Sequence, residues 1–365
     1  MALDPTQPPF IPGAVLCERF FREAVRPLLA DRFPRLDYSA TRIDFGSDVL
    51  GFDTPQSRDH HWGPRFMLFL AEADLHQKDA IDHQLAHRLP FEIAGYPTHF
   101  TFPIDADVMT PTTSHPIKHG VAITTARAFF LDYVGVDPAQ PLGEIDWLLI
   151  PSQRLATIAS GQVFHDGLNV LEPARRALSW YPHDLWLYIL AAQWQRIDQY
   201  EPFTARTGDV GDDLGSRLVA ARQIADMMRL AFLLERRHAP YIKWFGAAFS
   251  RLACAAHLMP VFEDISNSRT WKQREEHLCR AWLIMQELHN ALKVTPPIEL
   301  GISQFYGRPY RVPRSGRFVE ALRAAITSSA VRALPAHVGS VDQFADNTDV
   351  LDNIRHCRAL ASLYA

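Results

Sequence analysis

The chain has 365 residues, 47% of them hydrophobic and 21% charged, with a formal net charge of −4 at neutral pH. That is length for about two domains and apolar content for a sizeable core, while the mild acidity excludes attachment to nucleic acid or anionic membrane by overall charge. The four cysteines, Cys17, Cys254, Cys279 and Cys357, are far apart, which excludes a disulfide framework or paired zinc ligands and suits a reducing cytoplasm. The N-terminus has neither a basic segment nor an apolar one behind it. No apolar run approaches the ~20 residues a bilayer requires, so a cytoplasmic protein without a membrane partner is expected.

Residues 1–12 are proline-rich and read as a loose lead-in. Leu16, Phe20, Phe21, Val25 and Leu28 recur at helical spacing and predict a core-facing helix over 14–30. Thr41–Phe45 and Phe66–Leu70 read as strands, followed by a helical stretch at 78–88 and a period-two run at 98–102. Residues 103–120 form a long polar loop of the kind that is either functional or mobile. A helix is expected at 122–133, and Ile145–Pro151 reads as a short strand or the start of a connection. After Tyr181-Pro182 the pattern turns helical: 183–200, 214–237 with Asp213 as N-cap, 241–258, 270–293, 316–327 and 341–363. The fold class expected is α+β: an α/β domain over 1–165 with a small mixed sheet, then an all-helical domain over 166–365.

The chemistry gathers in Asp44–Leu70. An apolar run enters the Gly46-Ser47 turn, a polar loop follows, and Asp59-His60-His61-Trp62-Gly63-Pro64-Arg65 leads into the second strand. Glycine lets backbone N–H groups approach phosphate oxygens, and serine adds a donor. Carboxylates and imidazoles supply metal ligands. The order Gly46-Ser47, Gly51, Ser57, Asp59 resembles the nucleotidyltransferase signature. Gly-Ser-Asp-Val-Leu-Gly-Phe-Asp and Asp-His-His-Trp-Gly-Pro-Arg are similar, more narrowly, to the DUF4037 family, a branch of that superfamily. The resemblance continues through Gln193–Ile197, Leu214–Arg217, Leu233–Arg237 and Ala239–Trp244.

That resemblance implies a nucleotidyltransferase-like first domain and transfer of a nucleotidyl group, adenylyl foremost, from an NTP to a hydroxyl on a small-molecule acceptor. ATP and Mg²⁺ are the implied cofactors. Gly46, Ser47, Arg65 and Lys243 would hold the phosphates; Asp59, His61 and Asp48 would hold metal, with Asp59 and His61 also catalytic. The chain departs from the family pattern at the second carboxylate, where His61 stands, and at the third. On the run 98–102 the inward positions are His99 or Thr101, with no acid before Asp105; Asp53 is a substitute. A histidine-rich set favours Mn²⁺ or another transition metal. Two alternatives stand beside transfer: a ligand-binding pseudoenzyme, or a His/Asp-based lyase, cyclase or hydrolase.

Further features have both a bland and a functional reading. Arg222, Asp226 and Arg229 share one helix face, as a solvated stripe or as arginines presented to an anion. Glu201 is a helix-end residue or a base. The loop 305–317 has the arginine and aromatic composition of a single-strand contact, although a nucleic-acid partner is not expected. His83, His87, His115 and His119 suggest metal ligands by spacing alone.

Overall fold

The computed structural model describes residues 8–101 and 108–365, so Asp105 and most of the proline-rich lead-in lie outside the described residues. Two compact units emerge: Met1–Leu142 with Arg154–Ser179, and Gly143–Gln153 with Trp180–Ala365. Small mixed sheets and a helical C-terminal half make the fold α+β. Among the described residues no helix is long and apolar enough to cross a membrane.

The first unit is built on a four-stranded sheet. Its strands are β1 (Tyr38–Arg42), β2 (Arg65–Leu70), β3 (Gly120–Thr125) and β4 (Gln162–Asp166), in the order β3-β2-β1-β4. β1 runs antiparallel to both β2 and β4, whereas β2 and β3 are parallel. A parallel pair needs a crossover, and the segment between β2 and β3 supplies it, including helix Lys78–Arg88. β2 is buried on both faces. Phe66, Leu68 and Leu70 join a core with Leu16, Phe20, Phe21 and Val25, while Phe69 meets Phe129 at 5.3 Å on the other side. Each such side chain contributes about 1.5–3 kcal/mol on burial.

The helix expected over 14–30 forms as α1 (Gly13–Phe20) and α2 (Arg26–Arg32), joined by a π turn over Phe21–Val25. Pro27 explains the turn: its ring crowds the carbonyl four residues back and it has no N–H to donate, so the backbone widens before it. Three strands differ from expectation: β1 ends at Arg42, three residues before the predicted Phe45, and two others form where no strand is predicted. Residues 120–125 form β3, and α3 (Ala126–Tyr133) begins only after Thr125, whose hydroxyl accepts from the Ala128 N–H at 3.2 Å. β4 lies where no strand is predicted, and its Asp166 accepts from Ser39 Oγ at 2.7 Å and from the Val170 N–H at 3.1 Å.

The second unit is organised on α4 (His183–Tyr200), in which every residue from Leu185 to Trp194 is buried. A helix apolar all round must sit inside its neighbours. Those are α5 (Asp213–Leu234), α6 (Trp271–Ala291) and α7 (Gly316–Ala325), and Phe318 of α7 stacks on Trp194 at 4.3 Å. Ile145–Pro151 holds a short helix, Glu144–Leu148, instead of a strand. Asp212, not Asp213, caps α5, accepting from the Gly215 N–H at 2.7 Å. Asp213 pairs instead with Arg217 and the buried Arg274. The helix expected over 241–258 breaks after Phe249, where Glu235 accepts the N–H groups of Ala253 and Cys254. The C-terminal helix is three short ones, interrupted by the caps Asn347 and Asn353.

Candidate functional site

β1 carries Arg42 at its end, fully buried, and charge in that position demands partners. Arg42 donates from Nε to Asp48 Oδ2 at 2.9 Å, from Nη2 to Asp48 Oδ1 at 3.0 Å, and from Nη1 to Asp44. The two parallel bonds to Asp48 are a bidentate fork, the strongest form of this pair. Arg65, at the start of β2, reaches Asp44 at 3.5 Å. Two arginines and two aspartates thus close a neutral network inside the loop.

Gly46 forms the lid of that network. At its φ of +149° a Cβ would stand 2.2 Å from Asp48 Oδ1 and 2.5 Å from Arg42 Nη2, so the backbone can cross the pair only without a side chain. The chain then turns back on itself: Phe52 N–H donates to the Ser47 carbonyl at 2.9 Å, and Gly51 takes a φ of +67°. Asp53 accepts from Trp62 Nε1 at 2.9 Å and from the Gly13 N–H at 2.7 Å, which ties the loop to the first turn of α1.

Beyond Asp53, Ser57 caps the short 3₁₀ turn Pro55–Asp59 by accepting the Thr54 N–H at 3.0 Å. Asp59 is exposed and lies 2.9 Å from His60 Nδ1. The ring of His61, whose φ is +49°, stands 5.4 Å from that of His60 and edge-on to Phe45 at 5.1 Å. Phe45 in turn lies under the Arg65 guanidinium at 4.8 Å. Asp59, His60, His61, Phe45, Arg65, Asp44, Arg42 and Asp48 therefore form one continuous run of contacts, with Gly46 and Ser47 at its bend. A cavity of about 280 Å³ adjoins the bend, lined by Pro12, Val15, Arg42, Asp48, Gly51 and Asp53 among others.

The other candidates belong to other elements. Lys243 is an exposed residue of the second unit, with Nζ 5.1 Å from the Trp244 ring. Glu201 is buried and accepts from the Ser315 N–H at 3.2 Å; burial first, and Asp198 second, push its carboxyl up to about 7. The arginines of the loop 305–317 are engaged in part: Arg311 pairs with Glu275 at 3.0 Å, Arg314 and Arg317 donate to nearby carbonyls, and Arg308 and Arg311 stay exposed. His83 and His87 stack at 4.1 Å, and His119 sits 3.4 Å from Asp82. No group of three or more His, Cys, Asp or Glu side chains is placed to share a metal ion among the described residues.

Arg42 and Asp44 are the members of this site that the motif reading passed over. The signal was present, since a strand end with Arg42 and Asp44 two residues apart puts both charges on one face.

Residues 147–245 match the DUF4037 family, described as a domain of unknown function. The DUF4037 match covers β4 and the helices through Lys243 and ends before Phe249; Gly46–Arg65 lies outside it. No curated protein matches the chain. A solved structure from Exiguobacterium sibiricum 255-15, described as a nucleotidyltransferase-like protein, shares 12% identity over 74% of this chain and 75% of that one, with a TM-score of 0.32. A TM-score at that level carries nothing about the chemistry of the present chain.

Proposed function

We propose that the first unit is a nucleotide-binding domain of nucleotidyltransferase type that does not run two-magnesium nucleotidyl transfer. The observation that carries this reading is the fork between Arg42 and Asp48 beneath Gly46. A metal site of that type needs carboxylate oxygens directed at the ion, and both oxygens of Asp48 are taken by a guanidinium. His61 occupies the position of the second carboxylate, which leaves Asp59 alone. The donor set does not fit a pair of magnesium ions.

What the loop retains is suited to binding. The bend at Gly46-Ser47 keeps its backbone close to the surface, and the cavity beside it offers the carboxylate of Asp53 to hydroxyl or amine donors such as those of a nucleoside. Arg65 is held in place by Asp44 and Phe45 as the nearby cation. Titration calorimetry with ATP, with and without Mg²⁺, tests this reading. Equal binding in both conditions, with no pyrophosphate released in the presence of small hydroxylated acceptors, is the expected result. Magnesium-dependent release of pyrophosphate would restore adenylyl transfer through Asp59 and His61, and the absence of any ATP binding would remove the nucleotide altogether.

A second reading has its own observation. The exposed contact between Asp59 and His60 is a carboxylate–imidazole pair that could give Mn²⁺ or another transition metal two ligands, with substrate or water completing the shell, and hence serve lyase or hydrolase chemistry. Elemental analysis of the purified protein separates it from the first: a stoichiometric transition metal favours it, and none disposes of it.

A further inference from the structure

In the second unit, three guanidinium groups converge on one carboxylate. Asp226 of α5 is 1% exposed and receives Arg196 Nε at 3.0 Å and Arg222 Nε at 3.2 Å, with Arg229 Nη1 at 4.0 Å. The last distance is ion pairing without a hydrogen bond. Gln193 Nε2 also donates to Asp226, at 3.3 Å to Oδ1 and at 2.9 Å to its carbonyl, so the acid is saturated. Three positive charges surround one negative, leaving an excess of two.

The next acid facing Arg229 is Asp342, which acts on it only from beyond ion-pair distance. Its carboxylate accepts from the N–H and hydroxyl of Ser152, at 2.8 and 3.3 Å. Burial, with Asp226 opposing it, lowers the pKa of Arg229, as expected of a cation short of countercharge. Among the described residues no other carboxylate lies within ion-pair distance of Arg196, Arg222 or Arg229. Arg222 and Arg229 keep 40% and 31% of their side-chain surface open to solvent. Aromatic rings fix their planes: Tyr200 lies 5.1 Å from Arg222, and Phe245 lies 5.5 Å from Arg229. Uncompensated charge in a half-buried setting is costly. Two guanidinium forks held apart by two helical turns, each with donors to spare, have the geometry to grip oxyanions.

We propose that Arg222 and Arg229, backed by Arg196, form a binding site for the phosphoryl group of a small phosphorylated ligand. The site lies within the stretch that matches DUF4037 and is independent of the nucleotide reading of the first unit. Asp226 positions the arginines and tempers their charge; the phosphoryl oxygens supply the rest.

Titration calorimetry with inorganic pyrophosphate at low salt is the test, on the full chain. Wild type is expected to bind at millimolar concentration or better, and Arg229→Gln to bind about tenfold or more weakly, since a charge-assisted bond of this kind is worth that much. Arg222→Gln should behave alike, and Arg127→Gln, at an exposed arginine of the first unit, should leave the binding unchanged. Asp226→Asn gives a result that packing alone does not. It removes the internal countercharge, so pyrophosphate should raise its melting temperature by more than it raises that of wild type. No pyrophosphate binding by wild type, equal binding by Arg229→Gln, or no extra protection of Asp226→Asn would each overturn the proposal.

Discussion

Replacing Gly46 by alanine separates a structural glycine from one that serves only a ligand. The added Cβ would lie 2.2 Å from Asp48 Oδ1 and 2.5 Å from Arg42 Nη2, both buried and neither at the free end of a mobile side chain. The fork between them must open or the backbone must move. Breaking a buried pair while leaving its charges in place costs about 3–5 kcal/mol, and forcing a Cβ into the +149° region adds about 1–3 kcal/mol. The sum is a large part of the roughly 5–15 kcal/mol that holds a domain together. For a unit of this size it corresponds to a fall in melting temperature of roughly 10–20 °C. Urea and thermal unfolding followed by circular dichroism measure it. Gly51→Ala is the control: with a φ of +67° it should lose about 1–2 kcal/mol from strain alone. A Gly46→Ala protein that melts within about 2 °C of wild type would show that Arg42 and Asp48 do not meet beneath the turn, and the proposed loss of the metal site would fall with them.

Asp48 and Asp59 should part company under mutation. Asp48→Asn is expected to destabilise the first unit by about 3–5 kcal/mol because Arg42 is left buried with half its partners, whereas exposed Asp59→Asn should stay within about 0.5 kcal/mol of wild type in the same urea titration. Glu201 predicts a pH effect in the second unit. Its carboxyl rises from 4.5 to about 7 on folding, so the folded state holds the proton more tightly and stability falls as pH climbs across that window, by about 3 kcal/mol in all. Glu201→Gln should remove that slope. His289 predicts the opposite sign: burial lowers it from 6.5 to about 4, so stability falls as pH drops from 6.5 towards 4. A His289→Gln chain should show a smaller loss on acidification than wild type; an unchanged slope in either variant would refute its assignment.

The inner strands were legible and the outer ones were not, for a physical reason. β2 is apolar along nearly its whole length because both faces are covered, and β1 runs beside it. β3 and β4 are the edges of the sheet. Edge strands carry polar residues and have only one paired side, so Gly120–Thr125 overlaps the helix expected at 122–133 and Gln162–Asp166 carries no strand signal. The same distinction governs the site. Glycine at 46 and histidine at 61 are visible as residue types, and the turn follows from them. Whether an aspartate faces an ion or an arginine is not a property of the aspartate. Arg42 stands six residues before Asp48, on a strand whose register with β2 decides which way its side chain goes. A shift of that register by one residue would turn Arg42 to the other face and release both oxygens of Asp48. The difference between a metal-binding loop and a sealed one therefore rests on strand pairing set by core residues such as Ala40 and Leu68, which are register partners and take no part in the chemistry.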